Sequence, residues 1–323
     1  MAMQRNLGLM LGILGATAVF VFLLANWQIT NKIYQAETIP TATTTCPATT
    51  ILAVIGDYGD AGQPEADVAA LVDSWNVDYV LTTGDNNYPD GEASTIDENI
   101  GQYYQQYIGS YSGSFGAGAA ENRFFPSPGN HDWNTGTLQP YLDYFTLPGN
   151  ERYYEVELGP VHLFAMDSDP NEPDGRSSTS TQANWLQTQL GSSAAPWKLV
   201  TMHHPPYSSS TVHGSVSEMQ WPYAAWGATA VLAGHDHTYE RIHQDGILYF
   251  VNGLGGRSIY NLGNPVSGSA VRYNLDFGAM RIDAAPLCLN FRFYSRAGSL
   301  IDSYTLYKPD FFSNHLYLPL IAK

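Results

Sequence analysis

The segment VDYVLTTGDNNYPDG ends a hydrophobic run, Val77 to Leu81, in a Gly-Asp turn that carries Asp85 and, three residues on, Tyr88. A carboxylate placed there sits at the carboxyl end of a strand, where open α/β sheets hold their ligands. Four more strand-like runs end in side chains that bind metals: Gly56-Asp57-Tyr58-Gly59, Gly129-Asn130-His131-Asp132, Val200-Thr201-Met202-His203 and Gly234-His235-Asp236-His237. Together the five segments supply two carboxylates (Asp57, Asp85), a phenol (Tyr88), an amide (Asn130) and three imidazoles (His203, His235, His237). That set suits two hard cations held side by side. A bridging carboxylate, for which Asp85 is the candidate, offsets both charges and keeps them ~3.5–4 Å apart. Imidazoles and one amide then complete the shells and leave positions for water. Alternate residues of an extended Gly-His-x-His segment point the same way, so His235 and His237 are expected to reach neighbouring metals. Glycines 56, 84, 129 and 234 are expected to let the backbone turn just before each donor.

The elements that must position these donors alternate in type. Ile51 to Ile55 reads as a strand, Pro64 to Trp75 as a helix and Tyr79 to Thr83 as the next strand, the βαβ texture of a layered α/β domain. Thr95 to Tyr107 reads as helix, and Gly109 to Ala120 carries no legible signal. Arg152 to Glu157 and Val161 to Met166 read as paired strands, Thr181 to Leu190 as a helix, and Trp197 to Met202 as a strand running into His203. After His237 the chain turns strand-rich, at Ile247 to Asn252, Val271 to Tyr273, Gly278 to Ile282, Cys288 to Tyr294 and Ile301 to Tyr307. A second sheet packed on the first is expected.

With 323 residues, 44% hydrophobic and 13% aromatic, the chain is globular and long enough for a sizeable core. A net charge of −16 with 14 basic residues argues against nucleic acid as a partner. Bound metals reverse the field locally, so an acidic chain can still act on phosphorylated substrates. Residues 1–35 read as a signal peptide or membrane anchor, because Leu7 to Ala25 is a run of 19 residues without a charge. Either use takes the body of the protein out of the cytoplasm, secreted or anchored by that segment. Arg5 ahead of the run favours an N-in anchor. Residues 36–50 are a Thr/Pro-rich linker, residues 51–308 the catalytic domain and residues 309–323 an apolar tail. Cys46 and Cys288 are too few and too distant for a zinc finger or a Cys-x-x-Cys pair; they are either one disulfide in an exported chain or two thiols.

Taken in order, the five segments resemble the binuclear metallophosphoesterases, whose fold is the calcineurin-like four-layer α/β sandwich, two mixed β-sheets flanked by helices. More narrowly they look like the purple, or tartrate-resistant, acid phosphatases. Many other metallophosphoesterases carry Asp-x-His first, whereas this chain has Asp57-Tyr58-Gly59 and offers Tyr88 in Gly-Asp-x-x-Tyr. The resemblance covers roughly Ile51 to Tyr307. It implies that Asp57, Asp85, Tyr88 and His237 surround Fe(III), with the Tyr88 phenolate giving a visible charge-transfer colour. A second divalent metal, Fe, Zn or Mn, would take Asp85, Asn130, His203 and His235. Asn130, His131 and His213 would face the substrate phosphate, with His131 and His213 as catalytic groups. The match at His213 rests on Val212-His213-Gly214, similar to the small animal-type enzymes, while His237-Thr238-Tyr239-Glu240-Arg241 is similar to the plant ones.

The implied reaction is hydrolysis of phosphate monoesters, on small molecules or phosphoproteins, by a hydroxide that the two metals activate. Imidazole is cationic below pH ~6.5, so a histidine that donates to the leaving oxygen suits an acid phosphatase. Two other readings stand beside it. The same binuclear site serves a phosphodiesterase, nucleotidase or diphosphatase, because the pattern defines the metal core and not the pocket rim. A binding module that keeps the fold without turnover would be expected to have lost at least one of the seven donors, and none is missing.

Overall fold

Short runs rich in Val, Ile, Leu and aromatic side chains build the two sheets that carry the donor segments. The structure, a computed structural model, describes residues 46–311. The first sheet has the order β13 (Leu300–Tyr307), β12 (Cys288–Ser295), β11 (Gly278–Ala285), β1 (Thr50–Ile55), β2 (Tyr79–Thr82), β3 (Phe124–Pro126). The second has the order β10 (Ser269–Tyr273), β8 (Tyr239–Gln244), β9 (Ile247–Asn252), β7 (Ala230–Ala233), β6 (Trp197–Thr201), β5 (Val161–Ala165), β4 (Tyr154–Leu158). Both are mixed. Strands β1, β2 and β3 run parallel, as do β5, β6, β7 and β9, and the outer strands are antiparallel.

The two-residue period of a strand explains the layers. Leu163, Ala165 and Leu199 join one buried cluster with Leu52, Val54, Ile282 and Phe291 of the first sheet. Phe164, Met166, Val200 and Met202 alternate with them and face the other way. There they meet Ala183, Leu186 and Leu190, whose helical spacing forms the apolar stripe of the helix Thr181–Ser192. On the first sheet, helix α1 (Gln63–Ser74) buries Val68, Ala69 and Val72 against the same cluster as Leu52 and Val54. Helix, sheet, sheet and helix are the four expected layers. Each large apolar side chain so buried contributes about 1.5–3 kcal/mol.

Several expected elements differ. The single helix expected over Thr95 to Tyr107 is broken into a π turn (Asp97–Gly101), one α turn (Gln102–Tyr104) and a 3-10 turn (Gln105–Tyr107). Its Asn99 amide donates to the Asn87 side chain at 2.8 Å and to the Tyr88 carbonyl at 2.7 Å, tying this segment to the Asp85 loop. Strand β8 was not expected; it carries the charged residues Glu240 and Arg241. Both are buried, Glu240 accepting from Ser209 and Ser269, and Arg241 paired with Asp302.

The folded body starts at Cys46, ahead of the expected boundary at Ile51, because Cys46 and Cys288 form a disulfide that joins the end of the linker to the start of β12. The expected membrane or signal segment, the rest of the linker and most of the apolar tail lie outside the described residues. Among the described residues no helix is long and apolar enough to cross a membrane. The bridge closes a loop with a sequence separation of 242. Replacing both cysteines by serine is therefore expected to cost about 2–4 kcal/mol and to lower Tm by ~5–15 °C. Calorimetric scans with and without reductant check this, and an unchanged Tm would contradict it.

Candidate metal centre

All the donor segments leave the carboxyl ends of parallel strands. Asp57 follows β1, Asp85 follows β2, Asn130 follows β3, His203 follows β6, and His235 and His237 follow β7. Facing the two sheets brings these ends together, so the donors meet although up to 180 residues separate them. Asp57, Asp85 and His203 are buried, with ligand atoms within 4.8 Å of one another.

Two groups of contacts share Asp85. In the first, Tyr88 Oη lies 2.9 Å from Asp85 Oδ2, 3.4 Å from Asp57 Oδ1 and 3.2 Å from His237 Nε2, and His237 Nε2 lies 3.3 Å from Asp57 Oδ1. In the second, His203 Nε2 lies 3.3 Å from Asp85 Oδ1, 3.0 Å from Asn130 Oδ1 and 3.1 Å from His235 Nδ1. Donors bound to one ion at ~2.0–2.1 Å, at tetrahedral or octahedral angles, are themselves ~2.9–3.4 Å apart. Hydrogen-bonding chemistry agrees. His203 Nδ1 donates to the Thr83 carbonyl at 2.9 Å, which leaves Nε2 as the lone-pair nitrogen. Around it stand the oxygens of Asp85 and Asn130, so acceptor faces acceptor unless a cation or a proton lies between. The residues present thus fit two metal ions.

The electrostatics express the same demand. Burial would lower the pKa of His203, yet Asp85 raises it well above the ordinary imidazole value. Burial would raise Asp85, yet His203 and then His131 hold it well below the usual carboxylate range. Burial, reinforced by Asp85 and Asp57, pushes the Tyr88 phenol far up. Burial and then His203 push His235 down. No lysine or arginine of the described residues bonds to either carboxylate; the charge that would balance them is the metals'.

The Gly-His-x-His segment is not extended as expected. His235 has a φ of +69°, in the left-handed region, and this turn aims the two imidazoles at different groups. The turning residues also differ from expectation. Of the four glycines only Gly84 has a positive φ, and Asp57 (φ +57°) and Asp85 (φ +52°) are themselves left-handed. Such conformations disfavour side chains and persist where surrounding structure imposes them. Gly129 serves close approach instead, since a Cβ there would lie 2.3 Å from the Asp85 amide nitrogen.

His131 and His213 border the cluster on its exposed side. His131, in the short helix α2 (Asn130–Trp133), places Nε2 3.9 Å from Asp85 Oδ2 and its ring 4.3 Å from that of Tyr88. Its Nδ1 contacts the Pro89 carbonyl. The His213 ring stacks on His235 at 4.0 Å. Its loop is held by Asp236, which accepts from the amides of His213 and Gly214 and from Ser208 Oγ. His204 is buried, bonded to Ser168 and pulled down to about 3 by burial and by His203. Tyr207 and Ser209 support the loop through Asp245 and Glu240.

Sequence reasoning gave no role to several residues around the donors. Asp132 is buried and accepts from the amides of Gly129 and Asn86 and from the Asn86 side chain, locking the Asp85 and Asn130 loops together. Ser258 bonds His237 Nδ1 at 2.6 Å, the Tyr260 ring stacks on His237 at 4.0 Å, and the Arg257 guanidinium lies 5.1 Å from the centre of the Tyr88 ring. These three follow β9, another parallel strand ending at the same edge, and its exit through Gly253, Gly255 and Gly256 is the signal that marks them.

The chain is similar to known proteins. The chain is 25% identical over 263 residues to human tartrate-resistant acid phosphatase type 5, covering 69% of this chain and 78% of the relative. It is 26% identical over 247 residues to purple acid phosphatase 17 of Arabidopsis thaliana, covering 66% and 70%. In structure it is similar to purple acid phosphatase PPD1 from yellow lupin (Lupinus luteus), with a TM-score of 0.65 and 18% identity over 80% of this chain; it spans about half, 53%, of that chain. Residues 50–239, more than half of the chain and all five donor segments, match the calcineurin-like phosphoesterase domain. This chain belongs to the calcineurin-like phosphoesterase family.

Proposed function

We propose that the protein is a metal-dependent phosphomonoester hydrolase of the purple acid phosphatase type. The observation that carries the reading is the pair of donor groups sharing Asp85, one of them completed by a tyrosine phenol. Asp57, Asp85, Tyr88 and His237 would hold Fe(III), and Asp85, Asn130, His203 and His235 the second metal, Fe, Zn or Mn. Two bound cations supply the positive charge that acidifies water and offsets the negative charge of a phosphoryl group.

The chain's own residues orient and protonate. The Thr83 carbonyl fixes the tautomer of His203 through Nδ1, and the Ser258 hydroxyl bonds Nδ1 of His237 and orients its ring, so that each presents Nε2 to the centre. Asp236 holds the His213 loop and Pro89 orients the His131 ring, so both imidazoles border the open side where an ester oxygen arrives. A proton carried on either ring passes to the leaving oxygen as the P–O bond breaks. Asn130, at the edge of the second group, faces the same phosphate. The substrate is a phosphorylated small molecule or a phosphoprotein. The disulfide suits an oxidising compartment, which agrees with an extracytoplasmic protein, secreted or held by residues 7–25.

The test is hydrolysis of phenyl phosphate against its diester by protein reconstituted with iron and zinc. Faster turnover of the monoester at acid pH is expected, and faster turnover of the diester would overturn the monoesterase reading. A visible band is expected from the Tyr88 phenolate on Fe(III), and Tyr88→Phe is expected to abolish it while the far-UV spectrum stays the same. A wild-type protein without such a band, or a band that survives in Tyr88→Phe, would contradict the ferric assignment.

A further inference from the structure

Among the described residues, Arg257 is the cation that touches the donor cluster. Its backbone amide is anchored to the Asp57 carbonyl at 3.0 Å, so the residue is held at the centre. Its guanidinium covers the Tyr88 ring, on the same tyrosine that His131 packs against. Only Nη1 is engaged, by both oxygens of Asp60 at 2.9 Å each; Nε and Nη2 have no hydrogen-bond partner among the described residues. The side chains of Arg257 and Asp60 are 39% and 33% exposed. An ion pair that exposed holds weakly, and so does stacking on one ring. The guanidinium is therefore kept beside the metal centre by its backbone and left free to exchange one anion for another. A planar fork with free N–H groups is the geometry that takes a phosphate or carboxylate by two bonds. With a chain charge of −16, a polyanion meets a repulsive field, and a local cation weighs the more.

We propose that Arg257 selects phosphate esters or anhydrides that carry a second anionic group, phosphate or carboxylate, next to the scissile phosphate, and that Asp60 is the resident anion this group displaces. The proposal rests on the hydrolase reading above. Water adds across the bridging P–O bond, so diphosphate gives two phosphates, and phosphoglycolate gives phosphate and glycolate. Arg257 stays bound to the departing anion and takes no proton. Asp60 then closes on Arg257 again as the product leaves.

The experiment compares inorganic diphosphate, 2-phosphoglycolate and ethyl phosphate as substrates of the full chain with its metals bound. A preference of ~10-fold or more in kcat/KM for a doubly anionic substrate over ethyl phosphate is expected from one charge-assisted bidentate contact. Arg257→Gln should remove most of that preference through KM, and Arg257→Lys should restore part of it. Preference for diphosphate alone, or for phosphoglycolate alone, supports the proposal and names the second group. A binding arm needs no turnover: calorimetry with methylene diphosphonate against methylphosphonate should show tighter binding of the former, weakened in Arg257→Gln and strengthened in Asp60→Asn. Equal losses on all three substrates in Arg257→Gln, or equal affinity for the two phosphonates, would overturn it. A metal-loaded chain that hydrolyses none of the substrates yet discriminates between the phosphonates would refute the hydrolase reading and leave the Arg257 assignment standing.

Discussion

Asp85→Asn is expected to lower kcat/KM for a phosphate monoester by at least ~10³-fold and to reduce the metal content from two ions to one or none. Asparagine keeps the size of the side chain and one acceptor oxygen. It loses the charge that two cations would share and the second acceptor, and both are in use: Oδ1 faces His203 and Oδ2 takes the Tyr88 hydroxyl. The backbone amide of His131 also donates to Oδ1 at 2.9 Å, so the substitution loosens the helix that carries Asn130 and His131. Folding must be checked beside activity, because Asp85 is only 2% exposed and a partner lost in the interior destabilises. A variant that melts within a few degrees of wild type, binds two metals and keeps a tenth of the activity would contradict the assignment of Asp85 as the shared donor.

Gly59→Ala should be as damaging without touching a donor atom. A Cβ at Gly59 would lie 1.7 Å from the carbonyl oxygen of Asn86 and 2.5 Å from its carbon. Neither is a flexible side chain that can swing away. The Gly59 carbonyl also accepts the amide of Tyr88 at 2.7 Å, so the loops carrying Asp57, Asp85 and Tyr88 must part for the methyl to enter. A loss of at least ~3 kcal/mol of stability is expected, with metal affinity falling further than stability alone accounts for. Gly191→Ala is the control. It lies in the helix Thr181–Ser192 with open space around its Cβ, and should be neutral or stabilising by up to ~1 kcal/mol. Metal titration and thermal unfolding of the two variants decide it; equal behaviour of both would contradict the close approach of the two loops.

That the candidate donors come together was legible in the sequence for a physical reason. Each follows a hydrophobic strand, and parallel strands in two facing sheets all end at one edge, so order along the chain was enough to assemble Asp57, Asp85, Asn130, His203, His235 and His237. Tyr88 was legible through its spacing from Asp85. What escaped notice depends on contacts between distant segments. Glu240 and Arg241 look like surface residues until Ser209, Ser269 and Asp302 are brought to them. The break in the helix expected over 95–107 comes with the Asn99 amide reaching back to the Asp85 loop, and no local propensity announces it. The left-handed backbone of Asp57, Asp85 and His235 was assigned instead to the glycines beside them, because propensity alone favours glycine there. Arg257 and Tyr260 belong to no motif and come to the centre only because β9 ends beside β7.

The most direct measurement of the central claim is elemental analysis of the purified full chain after expression with ample iron, zinc and manganese. The account predicts about two metal ions per chain, at least one of them iron. A protein that folds with its disulfide formed and yet holds no metal, or only one ion, would contradict it.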